Sequence, residues 1–122
     1  MCFAATSCKS PGCKESYCGP FFMSRIYWAD ADFFVFQHDT KDRDKAWEDC
    51  ALDYECATGI VTRYMRKFGR DCNGDGVTDC DDFAALHFNG GYTCKKLSSS
   101  TNFGRRYLEC RDSLQGPASL QS

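Results

Sequence analysis

Between Asp71 and Asp82 the chain sets oxygen-bearing side chains at the intervals that a hard cation needs. An EF-hand-type loop carries side-chain oxygens at positions 1, 3, 5 and 9, a glycine at 6, a backbone carbonyl at 7 and a carboxylate at 12. Counted from Asp71, these places hold Asp71, Asn73, Asp75, Asp79, Gly76, Val77 and Asp82. The glycine makes the match specific, because the backbone must turn sharply at that one place. Asp82 departs from the usual Glu, and a shorter carboxylate offers one oxygen or draws the loop tighter. The expected cofactor is Ca2+ in a structural role. Extracellular sites with dissociation constants of about 10⁻⁴ to 10⁻³ M are of ordinary strength. Without an ion, the crowded carboxylates repel and loosen the flanking helices. The competing reading is a metal-free acidic turn held by disulfides through Cys72 and Cys80.

Other groups able to do chemistry are few. Of two histidines, His38 and His87, the second begins a His-x-Asn-Gly-Gly turn with Asn89, Gly90 and Gly91. Without a nucleophile beside it, His87 reads as a hydrogen-bonded structural residue. Ten cysteines in 122 residues point to a disulfide framework and an oxidising compartment, so the chain is expected to be secreted. Zinc is disfavoured by the lack of a C-x-x-C pair and of histidines. Ten cysteines allow roughly 900 pairings; Cys8–Cys13 and Cys50–Cys56 are candidate local staples.

A net charge of −2 with mixed signs argues against a dedicated nucleic-acid partner. No apolar run reaches membrane-spanning length. The opening Met1-Cys2-Phe3 does not read as a secretory leader, so a mature domain is expected.

These groups need elements to position them. Residues 2–20 read as a stapled loop region. Residues 21–36 are aromatic and read as core, with a sugar-stacking surface as the alternative. Asp44 is a candidate cap for a helix with Ala46, Trp47, Cys50, Ala51 and Tyr54 on one face. Ile60, Val61, Tyr64, Met65 and Phe68 make one apolar stripe of a second helix, with Arg63, Arg66 and Lys67 outward and Gly69 as its stop. A third helix is expected over Asp81–Phe88 and a last over Asn102–Asp112. The fold class is mainly α, lysozyme-like α+β with at most a small β element, in a compact disulfide-rich domain over residues 1–114. A flexible tail is expected over residues 115–122.

Several segments resemble one family. Cys18-Gly19-Pro20-Phe21 with Tyr27-Trp28-Ala29-Asp30 is similar to the CGPYQI…YWIDA stretch of invertebrate-type lysozymes, which include leech destabilase. Cys80-Asp81-Asp82-Phe83-Ala84 with His87 to Cys94 resembles the family's C-x-x-[FY]-A…H-N-G-G-P-x-G-C segment. Tyr64 to Phe68 resembles its YMKRY helix. The calcium-type loop resembles an arthropod-like branch, and its terminal Asp resembles dockerin modules.

The resemblance implies a retaining muramidase, with a Glu as general acid and an Asp as nucleophile or stabiliser. The family's Glu lies in C-x-x-E-S-G-C, and aligned on Cys8 its place holds Ala5, which carries no proton. The loop that should carry the Asp is shortened to Cys13-Lys14-Glu15-Ser16-Tyr17-Cys18. The serine proposed for isopeptidase activity in the leech branch is matched by Tyr17. Losing a general acid costs about 10² to 10⁴ in rate. The expectation is a catalytically inactive, calcium-bearing binding module with no catalytic residue. Its partner would be a peptidoglycan-like glycan or an extracellular protein, met by Tyr17, Tyr27, Trp28, His87 and Asn89, in immunity or host interaction. The alternative is an atypical muramidase using Glu15 with Asp30 or Asp32, at a separation of about 5 to 9 Å.

Overall fold

The computed structural model describes Thr6 and residues 9–115. Ala5, Cys2, Cys8 and the expected tail lie outside the described residues, apart from Gln115 at the end of the last helix. Within the described residues the fold is mainly helical, with one small sheet near the start.

The entry is not the irregular loop expected. β1 (Cys13–Lys14) pairs antiparallel with β2 (Tyr17–Cys18), and β2 pairs with β3 (Met23–Ser24). A disulfide joins Cys13 to Cys18 across the first register pair, so Cys13 is not available to Cys8. Glu15 and Ser16 take the turn at φ 53° and 70°, the positive-φ hairpin geometry that matches strand twist.

Ser24 then caps α1 (Arg25–Asp30), its hydroxyl accepting the Tyr27 N–H at 3.1 Å. The aromatic segment is core in part. Phe21, Tyr27 and Trp28 are buried, whereas Phe33 is 40% exposed.

The helix expected after Asp44 is two helices, and Asp44 does not cap it. α2 (Ala46–Leu52) starts from Lys45, which sits in the left-handed region with no side-chain cap. Asp53 interrupts in extended geometry, and its carboxylate accepts the Cys56 N–H at 2.8 Å to start α3 (Tyr54–Phe68). Tyr54 therefore leaves the expected apolar face and is 57% exposed. The Cys50–Cys56 disulfide spans the break, as the spacing suggested.

α3 buries Ile60, Tyr64 and Phe68, with Val61 and Met65 packed alongside. Gly69 ends it at φ −56°, so left-handed freedom is not what a glycine supplies there. A Cβ would lie 2.5 Å from the Met65 carbonyl oxygen.

α4 (Cys80–Asn89) opens on a reciprocal capping box between Asp79 and Asp82. The Cys72–Cys94 disulfide ties the chain before α4 to the turn after it. α5 (Asn102–Gln115) packs on α4, with Phe103 stacked against Phe88 at 5.0 Å. Asp81 of α4 accepts from the Tyr107 hydroxyl at 2.6 Å and from Arg111 at 3.1 Å.

The main core lies between α1, α2, α3 and α4. The Tyr27 and Tyr64 rings stack at 3.8 Å. Trp28 is 1% exposed and its indole N–H donates to the Phe34 carbonyl at 2.7 Å. Ile60 and Leu86 are fully buried, each contributing about 1.5–3 kcal/mol. Gly19 lets the sheet lie on α2: at φ +82°, a Cβ there would fall 1.8 Å from the Ala51 carbonyl oxygen.

Candidate functional site

Two adjoining hollows, of about 440 and 340 Å³, share Tyr17, Phe22, His87 and Phe88 as common walls. The sheet supplies Tyr17, whose ring stacks on Phe22 at 5.0 Å and is 43% exposed. α4 supplies His87 and Phe88. The larger hollow runs on to Asn102, Phe103 and Arg106 of α5. The smaller runs past Tyr27 and Asp30 of α1 to the turn at Asn89–Thr93. The surface offers aromatic faces for stacking, with a few polar groups between them.

Among the described residues, Asp30 is the sole carboxylate lining the two hollows. Glu15 sits at the exposed tip of the β1–β2 turn and is not among those residues. Asp32 lies in a different recess, paired with Lys67 at 3.4 Å.

His87 is held at both nitrogens. Nε2 donates to the Phe21 carbonyl at 2.9 Å, which fixes the tautomer. Nδ1 is then an acceptor and takes the Tyr27 hydroxyl proton at 2.8 Å. Burial pushes the imidazole down to about 4 despite the Phe21 carbonyl, which favours the charged form. Tyr27 is pushed well above the usual phenol value, first by burial and then by Tyr64. At neutral pH the pair is uncharged and presents a fixed wall, with no free lone pair on the ring to take a proton.

Of the other expected contact residues, Tyr27 is 7% exposed with its ring face covered by Tyr64. Asn89 lines the smaller hollow while its amide donates to the Lys95 carbonyl at 3.2 Å. Trp28 is in the core, outside the lining of the cleft. Phe22, Phe88, Asn102 and Arg106 were missed, because no local periodicity reports that a residue lines a groove made by three distant elements.

The acidic loop folds as a turn around its first residue. Asp71 accepts from the Asn73, Gly74 and Gly76 N–H groups at 3.3, 2.9 and 2.9 Å. These donors hold its carboxyl below the usual range. Asp75 accepts from Val77 at 3.0 Å. Asp82 is fully buried and accepts from Cys72 at 2.8 Å and from Asp79 at 2.9 Å. Oxygens of Asp71, Asp75 and Asp82 lie within 4.8 Å of one another. Calcium–oxygen bonds of about 2.3–2.6 Å put opposite ligands about 4.6–5.2 Å apart, so an all-oxygen set at this spacing fits Ca2+. Asp79 faces α4 instead, accepting the Asp81 N–H at 3.1 Å.

Comparison with known proteins gives one consistent result. The family model described as Destabilase matches residues 1–110. The chain is 32% identical over 99 residues to a lysozyme of Ostrea edulis, a match covering 77% of this chain and 64% of that protein. It is 30% identical over 95 residues to invertebrate-type lysozyme 2 of Caenorhabditis elegans, covering 75% and 67%. Invertebrate-type lysozyme 3 of the same organism is 28% identical over 99 residues, covering 78% and 70%. The chain thus spans about two thirds of the length of these relatives.

Proposed function

The chain belongs to the Destabilase family of invertebrate-type lysozymes, and from that premise we propose that it is a secreted glycan-binding member with little or no muramidase turnover. Peptidoglycan-type glycan is the ligand class, since relatives are named lysozymes. The observation that carries the reading is the charge inventory of the cleft. Retaining glycoside hydrolysis needs two carboxyl groups across the scissile bond, about 5–5.5 Å apart. The cleft lining offers Asp30 and a neutral, fully bonded His87. Tyr17, Phe22 and Phe88 offer stacking faces for sugar rings. The disulfides support an extracellular setting.

The loop from Asp71 to Asp82 would hold Ca2+ through Asp71, Asn73, Asp75 and Asp82, with the Val77 carbonyl. The ion would neutralise the clustered carboxylates and brace α4. It has no part in glycan chemistry.

The test is a pull-down on insoluble peptidoglycan beside a turbidity assay on the same walls. Retention on the walls without clearing, weakened in Tyr17→Ala and Phe88→Ala, supports the reading. A second reading, an atypical muramidase, is favoured by Asp30 lining the cleft. Clearing that is lost in Asp30→Asn or Glu15→Ala would establish it and overturn the first.

A further inference from the structure

We propose that Arg106 makes the larger hollow a carboxylate subsite, so that the cleft selects glycan bearing acidic substituents over uncharged glycan of the same backbone. The proposal rests on the glycan reading above and gives that cleft a direction. The larger hollow is walled by the rings of Tyr17, Phe21, Phe22, Phe88 and Phe103. Into this apolar setting α5 brings two polar groups, Asn102 and Arg106. They stand at i and i+4, side by side on one face of the helix. Among the described residues, Arg106 is the one cation lining either hollow. The imidazole of His87 is neutral there.

The acidic residues lie elsewhere. Asp30 lines only the smaller hollow. Glu109, on the next turn of α5, is exposed and is not among the lining residues. Asp81 is bound to Tyr107 and Arg111, and Asp112 to Arg111. Arg106 is already engaged within the chain. A guanidinium has five N–H donors, so it keeps such a contact and still turns an edge to the hollow.

The cleft is therefore polar along its length, positive at the α5 end and negative at the α1 end. A charge of one sign between apolar walls focuses its field on what enters. The guanidinium fork matches a carboxylate in geometry as well as charge. Asn102 adds an amide that can both donate to and accept from a peptide group. Amino-sugar wall polymer offers carboxylates from two sources, the lactyl ether on alternate sugars and the peptide stems joined to it. Chitin shares the sugar backbone and carries no acid.

The experiment titrates the whole protein by calorimetry with three ligands: chitotetraose, a muramyl tetrasaccharide with free lactyl groups, and that tetrasaccharide with its peptide stems. An acid-bearing ligand should bind about tenfold tighter than chitotetraose. The tighter of the two names the acid that is read. Arg106→Gln should remove this advantage and leave the affinity for chitotetraose unchanged, whereas Tyr17→Ala should weaken all three. Methyl esterification of the ligand carboxylates, tested on the unaltered protein, should act as Arg106→Gln does and needs no folded variant. Equal affinity for all three ligands would overturn the subsite and leave the glycan reading standing. So would an advantage that survives esterification or a folded Arg106→Gln. Binding of none of the three would overturn the glycan reading and the subsite with it.

Discussion

The Tyr27 hydroxyl lies 2.8 Å from Nδ1 of His87, joining α1 to α4 across sixty residues of chain. Nε2 donates to the Phe21 carbonyl, and burial keeps the ring neutral in the folded protein. Its folded value of about 4 lies below the unfolded 6.5. In the window between them the unfolded chain binds the extra proton. The stabilisation is therefore whole above pH 6.5 and is lost as pH falls toward 4. The full effect is up to roughly 3 kcal/mol. Denaturant titrations across pH 4–7 should show this slope in wild type and a flatter one in His87→Gln.

Calcium should raise the melting temperature, and a chelator should lower it. At a hundredfold excess over the dissociation constant, a bound ion adds about 2.7 kcal/mol. Asp75→Ala is the informative variant, because Asp75 accepts only from its own loop at Val77. It should keep the metal-free melting point to within about 0.5 kcal/mol and lose the response to calcium. A calcium response retained in that variant would remove Asp75 from the ligand set.

Gly19→Ala should be among the most damaging single changes outside the cysteines. The new methyl group would fall on a backbone carbonyl, at a φ that side chains avoid. A loss on the order of 3 kcal/mol is expected, readable as a shifted urea midpoint with an unchanged slope.

Asp81 should couple α5 to α4. Asp81→Ala and Tyr107→Phe each break the 2.6 Å contact. A double-mutant cycle should return a coupling of about 1 kcal/mol. Additivity of the two changes would mean that the hydroxyl contact adds nothing to the Phe103–Phe88 stack and the Arg111–Asp81 pair.

What was legible in the sequence follows from distance along the chain. The stripe from Ile60 to Phe68 was readable because helical periodicity is local. The break at Asp53 was missed although its cap geometry is local, since apolar spacing continues through it as far as Tyr54. The sheet escaped because two-residue strands carry no alternation. The cleft escaped more fully. Phe21, Tyr27, His87 and Arg106 come from four parts of the chain, and only packing brings them to one groove. The tautomer of His87 depends on partners 60 and 66 residues away. The disulfide Cys13–Cys18 displaced the expected Cys8–Cys13 staple because the turn at Glu15 and Ser16 sets those two residues opposite each other.

Asp82 holds the backbone before α4 through Cys72 and the start of α4 through Asp79. Cys72 is in turn bonded to Cys94, beyond the turn whose Gly91 N–H donates to Tyr64 at 2.6 Å. The stretch 72–94 is thus a closed ring with one carboxylate as its clasp, and amide exchange should open it as a single cooperative unit.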